Sequence, residues 1–182
     1  MLKKAIIVGA SGLIGNELLE AILQSLDYQE VMLLVRKEMP LSNPKLVQLI
    51  VDFDNLDNWS AAITGHALFC CLGTTLKKTP DLTEYRKIDH DYPVRLAQIA
   101  FKNGVKQYHL VSAIGADVKA KSFYTRLKGE TENDIEKVPL KTIHIYRPSL
   151  LTGDRKEKRT LERIATVAMK FINYLLIGSL QK

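Results

Sequence analysis

Residues 5–15 read Ala5-Ile6-Ile7-Val8-Gly9-Ala10-Ser11-Gly12-Leu13-Ile14-Gly15. Four apolar residues form a short β-type run, and a glycine-punctuated loop follows at once. Leu13, Leu18, Leu19, Ile22 and Leu26 then recur at helical spacing. Strand, loop and helix in that order give the three glycines separate tasks. Gly9 permits the tight turn. Gly12 keeps a side chain away from an approaching pyrophosphate, and Gly15 lets the helix pack closely on the strand. Ser11 lies in the same loop, and the N–H groups around Leu13 and Ile14 face the phosphates at the positive end of the helix. The stretch is expected to bind a dinucleotide.

Outward from this loop the chain alternates. Short β-rich runs occur at 5–8, 31–35, 46–51, 67–72, 107–111 and 141–146. Between most of them lie helical patterns: a long one from Ile88 through Val94, Ala97, Ile99 and Ala100, and another from Phe123 to Glu136. Alternating strands and helices predict an α/β fold, a doubly wound parallel sheet in three layers. The strands are near-continuous apolar runs, as burial on both faces requires. Residues 1–152 form the expected nucleotide-binding domain. After the charged segment 153–159, the residues Leu161, Ile164, Ala165, Ala168, Phe171, Ile172 and Leu175 suit a small C-terminal helical extension. It belongs to the same domain or serves as a substrate or dimer appendage, so a homodimer is one possible assembly.

The 182 residues are 46% hydrophobic and 25% charged. This is globular composition, which excludes collagen and low-complexity disorder. Cys70 and Cys71 are neighbours, so they form neither an ordinary disulfide nor a zinc knuckle, and burial at a strand end is their expected role. The four histidines lack close metal-ligand spacing, and no metal is expected. A reducing, cytoplasmic setting fits. The apolar run after Met1-Leu2-Lys3-Lys4 is too short for a signal-peptide core, so no export signal is expected, and the uncharged run 171–181 is too short to cross a bilayer. The net charge of +6 attracts anions in general. The basic clusters 119–121 and 155–159 have no recognition motif beside them, so no nucleic acid partner is expected.

The choice of cofactor turns on the end of the second strand. An NAD site usually has an acidic residue about 20 positions beyond the loop. Asp27 has that count but precedes the strand. At the correct end stand Arg36 and Lys37, and a cation there pairs with a 2′-phosphate. NADP(H) is therefore expected in preference to NAD(H). Asp52 and Phe53, just after the third strand, are placed to meet the adenine. A turn-forming role for Asp52 is the other reading.

Tyr124-Thr125-Arg126-Leu127-Lys128 puts a phenol and an ammonium on one helix face. Such a phenol can protonate a carbonyl oxygen as hydride reaches the carbon. Ser112 ends the fifth strand at the carboxyl edge of the sheet and can hold the same oxygen. Ser112, Tyr124 and Lys128 are the candidate catalytic residues.

Together these residues resemble the short-chain dehydrogenase/reductase superfamily. Cys70-Cys71-Leu72-Gly73-Thr74-Thr75 and Tyr146-Arg147-Pro148-Ser149-Leu150-Leu151-Thr152-Gly153 are similar to its atypical, Tat-interacting-oxidoreductase-like branch. The resemblance implies a Rossmann sheet ordered 3-2-1-4-5-6, NADP(H) binding and Ser–Tyr–Lys chemistry on Ser112, Tyr124 and Lys128. It assigns Leu72, Gly73 and Thr74 to the loop that passes the cofactor, Tyr124 and Lys128 to its reactive end, and Pro148 and Leu150 to the loop flanking the nicotinamide. The chain departs from the classical enzymes where Cys-Leu-Gly-Thr replaces their Asn-Asn-Ala-Gly. Their relay asparagine has no clear counterpart, since Asn103 falls near a helix end. The expected activity is NADP(H)-dependent reduction of a small carbonyl or quinone-like compound. The alternative is an NADP(H)-binding sensor, which the short region after the last core strand favours.

Overall fold

The computed structural model describes residues 3–149. Six strands, β1 (Lys3–Val8), β2 (Tyr28–Val35), β3 (Leu46–Ile50), β4 (Ala67–Cys70), β5 (Gln107–Val111) and β6 (Ile143–Tyr146), form one sheet ordered β3-β2-β1-β4-β5-β6. Every pairing is parallel. The fold is the expected Rossmann-type α/β sheet. β1 pairs with β2 on one side and with β4 on the other, in register from Ala5 with Ala67 to Val8 with Cys70. The strand order reverses there, and the crevice at the carboxyl ends of such strands is where ligands bind.

The period-2 alternation of the strands divides the core in two. Ile6, Val8, Met32, Leu34, Leu68, Cys70 and Leu110 pack with Leu96, Ala97, Ile99 and Ala100 of α3 (Tyr92–Lys102). Ala5, Ile7, Val31, Leu33, Val35, Ala67 and Phe69 meet Leu18, Leu19 and Ile22 of α1 (Leu13–Gln24) on the other face. Burial on both faces is the reason the strands lack polar alternation.

Several elements differ from their sequence reading. α1 stops at Gln24, and Leu26 lies beyond it, 90% exposed. The long second helix is composite. α2 (Leu82–Arg86) passes through a π-helical turn, Lys87–Asp91, into α3. Asp81 caps α2 by accepting from the N–H groups of Thr83 and Glu84. A 3-10 segment, Phe53–Ala62, is not among the elements expected from the sequence. α4 (Phe123–Glu136) has the predicted bounds. Among the described residues no helix is long and apolar enough to cross a membrane. The boundary at 152, the cluster 155–159 and the stripe ending in Phe171, Ile172 and Leu175 lie outside the described residues.

Candidate active site

The glycine loop occupies the crevice between β1 and β4. Gly9 has φ of +83°, and a Cβ there would stand 2.6 Å from the Cys71 carbonyl oxygen. A Cβ on Gly15 would stand 2.2 Å from the Gly9 oxygen. Both positions exclude a side chain for reasons internal to the fold. At Gly12 the added carbon would meet only the Gly9 oxygen, at 3.3 Å, so its absence leaves the mouth of the loop open. Gly12 caps α1 without a side-chain hydrogen bond, and the first turn contains no acidic residue. The N–H groups of Leu13 and Ile14 are thus set for an anion at the positive end of the helix, with Ser11 exposed beside them. This cradle fits a pyrophosphate.

Arg36 and Lys37 directly follow β2 and are exposed at the carboxyl edge of the sheet. Asp52 caps the 3-10 segment: its carboxylate accepts the Asp54 N–H at 3.0 Å and the Asn55 side-chain amide at 2.7 Å. The turn-forming role weighed for Asp52 is therefore present. The ring of Phe53 is buried and lies 5.5 Å from that of Tyr92.

Tyr124 and Lys128 share one face of α4, one turn apart, in unlike surroundings. Tyr124 is 37% exposed. Lys128 is buried, and its Nζ lies 2.9 Å from Oδ1 of Asp89, with the two side chains 5% and 1% exposed. The other oxygen of Asp89 accepts the Thr74 N–H at 2.8 Å. A Cβ on Gly73 would be 3.7 Å from Asp89 Oδ1 and 3.9 Å from Lys128 Nζ. The loop after β4, the π-helical turn and α4 therefore converge on one buried ion pair. Tyr85 braces the loop by donating its hydroxyl to the Thr74 carbonyl at 3.1 Å, and burial keeps that phenol protonated by raising its pKa. His90 ties the π-helical turn to α4, its two ring nitrogens lying 2.6 Å from Asp91 and 2.9 Å from Asp134. The carboxyl of Asp134 is held low by Lys137 and by His90.

Ser112 is buried, and its hydroxyl donates to Glu132 on α4. Arg147 grips the same carboxylate, with Nε 3.0 Å from Oε1 and Nη2 on Oε2. The Ser112 N–H donates to the Tyr146 carbonyl at 2.7 Å and the Ile114 N–H to that of Pro148 at 2.9 Å. Pro148 therefore runs beside the chain leaving β5, while Leu150 lies outside the described residues. Asn103 ends α3 and donates to the carbonyls of Ser60 and Ile63, binding the helix end to the 3-10 segment. Cys70 and Cys71 are free, and burial pushes both thiols up, away from the reactive thiolate.

Asp89, Glu132 and Arg147 escape the sequence reading. Asp89 had a visible signal. It lies four residues after Tyr85 and seven before Leu96, a carboxylate on a buried helical stripe. Glu132 follows Lys128 by four residues, the spacing of one helix face.

A family model described as NAD(P)H-binding matches residues 9–169. The rat protein HTATIP2 is 35% identical over 167 residues, covering 90% of this chain and 69% of that one. The mitochondrial protein FMP52 of Saccharomyces cerevisiae is 34% identical over 158 residues, covering 85% and 68%. Among solved structures, Pen from Bacillus thuringiensis superposes with a TM-score of 0.68 at 20% identity, covering 86% of this chain and 53% of that one. The Bordetella bronchiseptica enzyme WbmH in complex with NAD+ gives 0.67 at 19% identity, covering 81% and 56%. The chain thus spans just over half the length of these solved proteins, which are like it in fold.

Proposed function

Because this chain belongs to the NAD(P)H-binding protein family, we propose that it is an NADP(H)-dependent oxidoreductase of the short-chain type, reducing a small carbonyl or quinone-like compound. The observation that carries this reading is the meeting of α4 with the loop after β4. The Lys128 ammonium stands beside Gly73, one turn from an accessible Tyr124. The bound cofactor supplies the hydride. Tyr124 donates its phenolic proton to the substrate oxygen as negative charge develops there. Lys128 donates hydrogen bonds to the cofactor's ribose and orients it. Ser112 joins them when its hydroxyl turns from Glu132 to the substrate oxygen. The glycine loop holds the pyrophosphate, Arg36 and Lys37 the 2′-phosphate, and Asp52 with the Phe53 backbone the adenine. Leu72, Gly73, Thr74, Pro148 and Leu150 flank the reactive end.

Arg36→Ala tests the cofactor preference. One charge-assisted phosphate contact is worth roughly 1.5–3 kcal/mol, so NADPH should bind about 10- to 150-fold more weakly while NADH binding barely changes. Fluorescence titration of both nucleotides measures this, and equal losses would refute the assignment.

The engagement of Ser112 with Glu132 favours a second reading, an NADP(H) sensor with little turnover. Tight NADPH binding without oxidation across a panel of aldehydes, ketones and quinones would select it. The proposal includes a cytoplasmic setting, a homodimer and no nucleic acid partner. Support for the dimer is the stripe through Phe171, Ile172 and Leu175. The mitochondrial label belongs to the fungal relatives, and cell fractionation and sedimentation test compartment and assembly.

A further inference from the structure

The buried charge behind Lys128 is not part of the roles assigned so far. A lone ammonium removed from water is strongly disfavoured unless a partner compensates it. Here the partner is Asp89, whose side chain is more deeply buried than the lysine it faces. Contacts from the loop after β4 and from α4 hold this residue still. The Thr74 N–H bonds one oxygen, Thr131 Oγ1 donates to the Asp89 carbonyl at 2.9 Å, and His90 next in sequence is fixed to Asp134 of α4. Among the described residues Oδ1 makes no hydrogen bond, and it faces the ammonium as an ionic contact. The π-helical turn Lys87–Asp91 places this residue opposite both the loop after β4 and the middle of α4.

We propose that Asp89 is the positioning residue for Lys128: it keeps the ammonium beside Gly73, where the lysine can reach the cofactor, and ties that position to the loop after β4. This rests on the reading of Lys128 as a cofactor contact. Without the carboxylate the buried ammonium has no compensating charge, so the side chain swings toward water and leaves Gly73. Asp89 thus acts on cofactor binding only through Lys128. An ion pair that merely braces the fold would affect stability alone.

A double-mutant cycle separates the two, with NADPH binding followed by nicotinamide fluorescence and folding by circular dichroism. Asp89→Asn keeps the shape and an acceptor for the Thr74 N–H. It should weaken NADPH binding about tenfold or more, the worth of one charge-assisted hydrogen bond. In the Lys128→Met background the same change should have no further effect, because the group it positions is gone. The double variant should also melt above Asp89→Asn, since it leaves no unpaired buried charge. If Asp89→Asn alone does not fold, Lys128→Met is compared with the double variant: equal affinity supports the assignment and a further loss overturns it. Affinity within twofold of wild type for a folded Asp89→Asn, or losses that multiply in the double variant, would overturn it while leaving the cofactor site intact. A wild type that binds neither NADPH nor NADH overturns the reading of the site and this assignment together.

Discussion

A methyl group added at Gly15 would sit 2.2 Å from a backbone oxygen that cannot move without unpicking the turn, whereas at Gly12 it would sit 3.3 Å from the same atom. The two glycines therefore fail differently. Gly15→Ala should lower stability to urea by about 1–3 kcal/mol, the usual result of overpacking. Gly12→Ala should leave the urea midpoint nearly unchanged and weaken NADPH binding about tenfold, because the new carbon points into the phosphate mouth. Interchanged outcomes would mean that the loop holds its ligand elsewhere. Tyr124 offers a test of chemistry. Tyr124→Phe preserves the ring and removes the proton donor, so NADPH affinity should hold while turnover of a responsive carbonyl falls by about 10²–10⁴-fold. Intact turnover in a steady-state assay would remove Tyr124 from the mechanism. These residues are legible from sequence because their tasks are local: a turn, a close approach, a partner one helical turn away. The hydroxyl of Ser112 was not legible in the same way. Its engagement with Glu132 and Arg147 depends on how α4 and β6 pack around β5.

α4 could be read directly, with Phe123 and Glu136 as its ends, because its apolar positions are regular and it runs without interruption. The segment before it could not. A 3.6-residue period does not distinguish a π-helical turn from the α-helix on either side of it, and Tyr85, Asp89 and Leu96 keep spacings of four and seven through Lys87–Asp91. The place of Asp89 on the buried stripe is legible for that reason, but its pairing with Lys128 is not, because it depends on how the turn packs against α4. The 3-10 segment was hidden for another reason. It is held by Asp52 at its start and by Asn103 from a distant helix end, and its apolar residues Phe53, Leu56 and Trp59 recur every three residues, off the α-helical period. α4 also contains Gly129, where a Cβ would stand 2.3 Å from the Asp117 backbone. Close packing against the segment after β5 sets the height of the helix, and with it the positions of Tyr124 and Lys128.

At the scale of the whole molecule, acid sensitivity has an identifiable source. The rings of Phe69, His109 and His144 stack at 4.3 and 4.5 Å across β4, β5 and β6. Burial lowers the pKa of His109 from 6.5 to about 3. Between those values the unfolded chain takes a proton that the folded one refuses, so stability is complete above about 6.5 and falls as the pH drops toward 3. Urea unfolding should show a loss of about 1.5 kcal/mol from this residue between pH 6.5 and 5. His109→Phe, which keeps a flat ring in the stack, should flatten that slope; an unchanged slope would assign it to other groups. The sheet order carries a further consequence. Arg36 and Asp52 come from the part of the chain before β4, while Gly73, Tyr124 and Lys128 come from β4 onward. The two parts abut along the β1–β4 seam, four residue pairs long, with Gly9 wedged under the Cys71 carbonyl. A dinucleotide held as proposed lies across that seam like a clasp. Neither part grips the whole of it, so weakening either grip loosens the entire ligand. Its binding free energy, in turn, resists separation of the two parts.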